Sequence, residues 1–304
     1  MADHDKKEID EITGTETTQH EWDGIKELNT PLPKWWLWTF YATVVWGLAY
    51  TIFYPAWPMI TTATAGVLGH TKRAAVHEAI AEHKAAQSVY TDRIAELSLD
   101  EISHDAELMQ FANAGGAAIF KAYCSQCHGA GAAGVQAAGY PNLLDDDWIW
   151  GGTRDEIYQT ITYGIRWNPD ENYDTRLGEM PAFGEDWLTD EEIAAVVQYT
   201  RALSGLDETN AQGAEIFANE CSSCHGENGE GLTMMGAPNL TDAIWLYGGD
   251  EATVTETIAL GRAGVMPAWI EDIRGTSGLT DTEIKQVSLY VHSLGGGVET
   301  PAEE

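Results

Sequence analysis

The chain has 304 residues, of which 16 are Lys or Arg and 48 are Asp or Glu, giving a net charge of −32 at neutral pH. That charge repels nucleic acid, so binding to it is excluded, and it suits either a solvated acidic surface or a basic partner protein. The length accommodates two small domains with further segments, because a domain commonly takes about 100–150 residues.

Residues 1–33 form a polar tail that carries Asp3, Asp5, Glu8, Asp10 and Glu11. It lacks the short basic start of a secretory signal peptide and is expected to stay in the mature chain. Residues 35–60 contain no charged side chain. At about 1.5 Å per residue they reach roughly 39 Å, enough to cross a hydrocarbon core of about 30 Å. Trp35, Trp36 and Trp38 gather at one end and Tyr54 and Trp57 at the other, as aromatic belts do at two water interfaces. Residues 34–60 are therefore predicted as one transmembrane helix. Lys26 and Lys34 before it balance Lys72 and Arg73 after it, so basic residues do not set its orientation.

Residues 61–108, rich in Ala, Glu and His, read as a polar helical linker. Its histidines, His70, His77, His83 and His104, lack the spacing of a ligand set and read as solvated.

The rest of the chain is a duplication. Cys124, Cys127 and His128 recur 97 positions later as Cys221, Cys224 and His225. Pro141-Asn142-Leu143 falls on Pro238-Asn239-Leu240, Trp148 on Trp245, and Gly164 on Gly261, without a gap. The register then slips by 11, because Met180-Pro181-Ala182 corresponds to Met266-Pro267-Ala268, and the first copy has the longer loop at residues 167–177. Leu188-Thr189-Asp190 and Leu279-Thr280-Asp281 each open an amphipathic stretch with an acidic first turn, the signature of a helix start.

Two thiols in a Cys-x-x-Cys-His run can add to the two vinyl groups of haem while the histidine addresses the iron, so each copy reads as a c-type haem attachment site. A lone Cys-x-x-Cys would also suit a redox dithiol or half a zinc site. Its duplication with a downstream Met-Pro points away from both. Cytochrome c iron is commonly held by histidine and methionine. The candidate sulfur ligands are Met180 and Met266, which follow His128 and His225 by 52 and 41 residues. Whether His128 takes Met180 and His225 takes Met266, or the pairs are exchanged, is not fixed by spacing. Met234 and Met235 follow His225 too closely to reach the opposite face and read as packing, as do Trp148 and Trp245. Two filled axial positions suit electron transfer and leave no open place for a substrate.

The pattern Cys-x-x-Cys-His, Pro-Asn-Leu and Met-Pro resembles class I cytochrome c over about residues 113–296. That resemblance implies that the carbonyls of Pro141 and Pro238 accept hydrogen bonds from the ligand histidines. Upstream, Asp23-Gly24-Ile25, Glu27-Leu28-Asn29, the run Pro31-Leu32-Pro33-Lys34-Trp35-Trp36-Leu37-Trp38 and Tyr54-Pro55-Ala56-Trp57-Pro58 resemble the start of the dihaem subunit of cbb3-type cytochrome c oxidases. The expected fold is all-α: one N-terminal transmembrane helix followed by two tandem class I cytochrome c domains, at residues 109–205 and 206–304, the second with an acidic C-terminal tail. The implied cofactors are two covalently bound haem c.

The resemblance further implies a non-catalytic, electron-transfer role beside a catalytic haem–copper subunit and a monohaem cytochrome c subunit, with a bc1 complex or soluble cytochrome c as donor. A free-standing anchored dihaem carrier is the alternative. Because c-type haem is attached outside the bacterial inner membrane, the N-terminus is expected in the cytoplasm and the haem domains in the periplasm.

Overall fold

The computed structural model describes residues 8–168, 170–184 and 187–299. Asp3, Asp5 and the tail beyond residue 299 lie outside them. The described chain divides into two compact units, one ending at Ala86 and the other beginning at Gln87.

In the first unit β1 (Thr17–Trp22) and β2 (Ile25–Leu28) form an antiparallel hairpin that pairs Trp22 with Ile25. Asp23 and Gly24 turn it with φ of 46° and 84°. Two positive φ values in a two-residue turn match the twist of paired strands, and Asp-Gly supplies them at low cost. This small sheet is the one departure from an all-helical chain among the described residues.

Helix α1 (Lys34–Phe53) starts directly after Pro33, whose fixed φ suits a helix entry. It ends at Tyr54, which adopts an extended conformation. Pro55 disfavours helical geometry in the residue before it, so the helix stops short of the expected residue 60. Its 20 residues still span about 30 Å, and none of them is buried within the protein. Among the described residues it is the one helix long and apolar enough to cross a membrane.

Next come α2 (Lys72–Glu96), α3 (Leu99–His104) and α4 (Ala106–Ile119). Ser98 and Glu101 form a capping box on α3, and the Asp105 carboxylate accepts from two backbone N–H groups at the start of α4. Ile94, Leu99 and Ile102 are fully or almost fully buried against Leu108, Ala112 and Leu289. The packed unit therefore begins inside the stretch read as a linker.

The first copy continues through a π-turn at Phe120–Cys124, α5 (Ser125–His128), α6 (Arg154–Tyr163) and α7 (Asp190–Leu203). The second has α8 (Ala211–Ile216), a π-turn at Phe217–Cys221, α9 (Ser222–His225), α10 (Glu251–Leu260), the short α11 (Glu271–Arg274) and α12 (Asp281–His292). Thr189 with Glu192 and Thr280 with Glu283 cap α7 and α12. The helix starts expected at these threonines are thus present.

The packing crosses the sequence repeat. Helix α4 of the first copy lies along α12 of the second, while α7 of the first lies along α8 of the second. One core joins Phe120, Ile157 and Ile161 to Leu279, Ile284, Val287 and Val291. The other joins Phe183, Ile193 and Val196 to Phe217, Val254 and Ile258. The second core is continuous in sequence and sits between the two halves of the first. Residues 204–210 link α7 to α8, and so short a connection favours packing consecutive helices side by side.

Candidate haem sites

Each Cys-x-x-Cys-His run occupies the same local frame. The π-turn presents the first cysteine, one helical turn carries the second cysteine and the histidine, and a glycine of positive φ, Gly129 or Gly226, ends it. The carbonyl of His128 accepts from the Gly134 N–H at 2.9 Å, and that of His225 from the Gly231 N–H at 2.7 Å. At Gly134 (φ 69°) a Cβ would lie 2.3 Å from the Tyr140 carbonyl oxygen, so only glycine permits this fold-back. The loop thereby carries Pro-Asn-Leu to the histidine.

The result fixes each imidazole. His128 Nδ1 lies 3.2 Å from the Pro141 carbonyl oxygen and His225 Nδ1 lies 3.0 Å from that of Pro238. A donor at Nδ1 leaves Nε2 with its lone pair free for a metal. Burial pushes the pKa of both imidazoles down, against the upward pull of the proline carbonyl, which favours the neutral form a metal requires. The four cysteines are free. Burial is the main cause that raises Cys124 and Cys221 to about 11, holding them as thiols.

The methionines sit with the opposite copy. Met180 and Cys221 both pack against the core that contains Phe217, and Met266 and Cys124 both pack against the core that contains Phe120. Each is held by a two-bond backbone bridge. Met180 N–H donates to the Arg262 carbonyl at 3.0 Å and Arg262 N–H returns at 2.9 Å; Met266 and Ile165 exchange bonds of 3.0 and 2.9 Å.

Other sites read from sequence fall as follows. Trp148 packs on the first core and donates from Nε1 to the Gly296 carbonyl at 2.6 Å. Trp245 packs on the second core, and its buried Nε1 has no hydrogen-bond partner among the described residues. Met234, read as a packing residue, is instead 86% exposed, because it sits on the short turn Thr233–Met235.

Sequence reasoning passed over a further pair, Trp150 and Tyr247, which sit 97 positions apart and face each other's copies. A Cβ on Gly236 would lie 2.2 Å from the Trp150 ring, and one on Gly139 would lie 2.3 Å from the Tyr247 ring. Arg176 stacks on Trp150 at 5.3 Å and Arg262 on Tyr247 at 4.3 Å. The shared shift of 97 and the invading glycines were the available signal.

The donor set fits covalent haem c: two free thiols and an oriented neutral imidazole in each copy, with a thioether packed into the same core. The unpartnered Trp245 Nε1 also suits a neighbouring group that bears acceptors. Among the described residues no group of three or more His, Cys, Asp and Glu side chains could hold a bare metal ion.

Comparison with known proteins matches three family models along the chain. Residues 14–61 match the N-terminal domain of cytochrome oxidase-cbb3, FixP. Residues 111–199 match cytochrome c oxidase, cbb3-type, subunit III, and residues 210–295 match cytochrome c. The cbb3-type cytochrome c oxidase subunit CcoP of Cereibacter sphaeroides is 50% identical over 285 residues, covering 92% of this chain and 95% of that protein. The subunit FixP of Sinorhizobium medicae is 49% identical over 300 residues, covering 98% of this chain and the whole of that protein.

The chain belongs to the CcoP/FixP family. It has an N-terminal segment with an apolar helix and two cytochrome c domains, consistent with two covalently bound haem c. Its relatives in Rhodobacter capsulatus and the rhizobia are similar over nearly their whole length.

Proposed function

We propose that the chain transfers electrons as the membrane-anchored dihaem subunit of a cbb3-type cytochrome c oxidase. Each haem iron would be held by a histidine from one copy and a methionine from the other, His128 with Met266 and His225 with Met180. The observation that carries this pairing is that each methionine packs against the same core as the opposite copy's first cysteine.

Bound haem c supplies a reversible one-electron iron couple. Around it the chain's own groups set the conditions. Cys124, Cys127, Cys221 and Cys224 hold the macrocycle, and the Pro141 and Pro238 carbonyls orient the imidazoles. The thioethers of Met180 and Met266 would hold the iron with soft sulfur, which favours its ferrous state and would exclude oxygen from it. The chain is therefore wiring for a separate catalytic haem–copper subunit, reached through a monohaem cytochrome c subunit. The net charge of −32 favours a donor with a basic docking face, either a bc1 complex or a soluble cytochrome c. Helix α1 anchors the chain in a bacterial inner membrane, with the N-terminus in the cytoplasm and the haem domains in the periplasm.

Native purification followed by peptide identification tests the role. Co-purification with a haem–copper subunit is expected; isolation alone, or with a different reductase, would assign the chain as a free-standing carrier. Met266→Ala tests the pairing. It is expected to lower the potential and abolish the methionine-to-iron charge-transfer band of the haem attached at Cys124 and Cys127. Loss at the other haem would reverse the assignment.

A further inference from the structure

Directly before the loop that lengthens the first copy stands Arg166, a half-buried residue held at φ 50°. Its guanidinium reaches both methionine loops. Nε donates to the Gly264 carbonyl at 2.7 Å, Nη2 donates to the same oxygen, and Nη1 donates to the Gly178 carbonyl. Gly178 stands two residues before Met180, and Gly264 two residues before Met266. The two acceptors are therefore equivalent positions of the duplicated pattern, bridged by one side chain.

Among the described residues no second arginine plays the part. The shift of 97 places Ala263 opposite Arg166, so the duplication provides a single fork for two loops. The loops also come close to the same pair of aromatics. A Cβ on Gly178 would lie 3.1 Å from the Trp150 ring and 2.1 Å from the Met235 carbonyl oxygen, and one on Gly264 would lie 3.3 Å from Tyr247 Oη. A planar guanidinium with donors in fixed directions can hold two carbonyls at a set separation; an ammonium on a flexible stem cannot do the same.

We infer that Arg166 is a positioning residue shared by both axial methionines, so that the sulfur–iron bonds of the two haems are coupled through one side chain. This rests on Met180 and Met266 being the axial ligands. When the fork is removed, both loops lose a charge-assisted hydrogen bond on the approach to their methionine, and both irons become easier for an outside ligand to reach.

The test uses the full-length holoprotein with Arg166→Gln and Arg166→Lys. Imidazole binding to ferric protein is titrated at each haem, the two being resolved by their separately shifted haem methyl resonances. The charge-transfer bands are followed with pH. Both haems are expected to bind imidazole about tenfold more tightly in both variants, and both bands to vanish at a lower pH than in the parent. The lysine variant keeps the charge, so a change in it reports the lost fork rather than the lost cation; it also carries the test if the glutamine variant is not recovered with two haems.

A change at one haem alone, or at neither, overturns the shared role. Met180→Ala and Met266→Ala run in parallel. If neither opens a haem to imidazole, the ligand reading itself fails; if each opens one while the Arg166 variants stay closed, only the role of Arg166 fails.

Discussion

Gly116 of α4 meets Gln286 of α12 so closely that a Cβ on the glycine would lie 2.3 Å from the Gln286 backbone oxygen. The contact joins the first helix of one copy to the last helix of the other. Backbone cannot give way as a side chain can, so Gly116→Ala is expected to destabilise the protein by about 1–3 kcal/mol. Gly115→Ala meets only the flexible end of the Gln286 side chain and is expected to cost less. Chemical denaturation of the two holoproteins compares them; equal stabilities would mean that the helices separate without penalty.

Asp147 is raised to about 6, first by burial and then by the charges of Asp242, Asp145 and Asp146. A carboxyl whose pKa rises on folding binds its proton more tightly in the native state. Its contribution is full below the unfolded value of about 3.9 and is lost as pH climbs through about 6. Asp147→Asn is therefore expected to raise stability at pH 7–8 by about 1 kcal/mol, after allowing for solvent screening, and to bring little gain near pH 4. Denaturation midpoints across that range check the sign, and a gain that is the same at every pH would rule out titration as its source.

Thr280 caps α12, its Oγ1 accepting from the Glu283 N–H at 3.3 Å while the Glu283 carboxylate takes the Thr280 N–H at 2.9 Å. Thr280→Ala is expected to cost about 1 kcal/mol. Because α12 packs on α4 and α6, the loss should appear as weaker amide protection in those two helices as well, read by hydrogen exchange.

The second unit begins at Gln87 and contains the hydrophobic cores described above, whereas α1 buries none of its residues. Deletion of residues 1–60 is expected to release a soluble polypeptide carrying two haems. Pyridine haemochrome content and size-exclusion behaviour measure it; a haem-free or aggregated product would show that the anchor is needed for folding.

Much of the site was legible because its chemistry is local. Cysteines and histidine within five positions must share one turn, and the shift of 97 showed that this happens twice. The Thr-x-x-Glu boxes before α7 and α12 were readable for the same reason. The hairpin at Asp23-Gly24 was also written locally, yet the surrounding charge disguised it as a plain polar tail. Pro55 likewise marked the end of α1, where absence of charge alone suggested a longer span.

The sequence by itself determined that the haem-attachment motif occurs twice and which residues are candidates to serve each copy. Only the tertiary structure decided which copy's first cysteine each methionine packs near, and that Arg166 stands between both loops. Two copies that carry the same motif order make either pairing consistent with spacing. The choice comes from long-range packing, with α4 on α12 and α7 on α8, and those contacts join residues whose separation along the chain carries no pattern of its own.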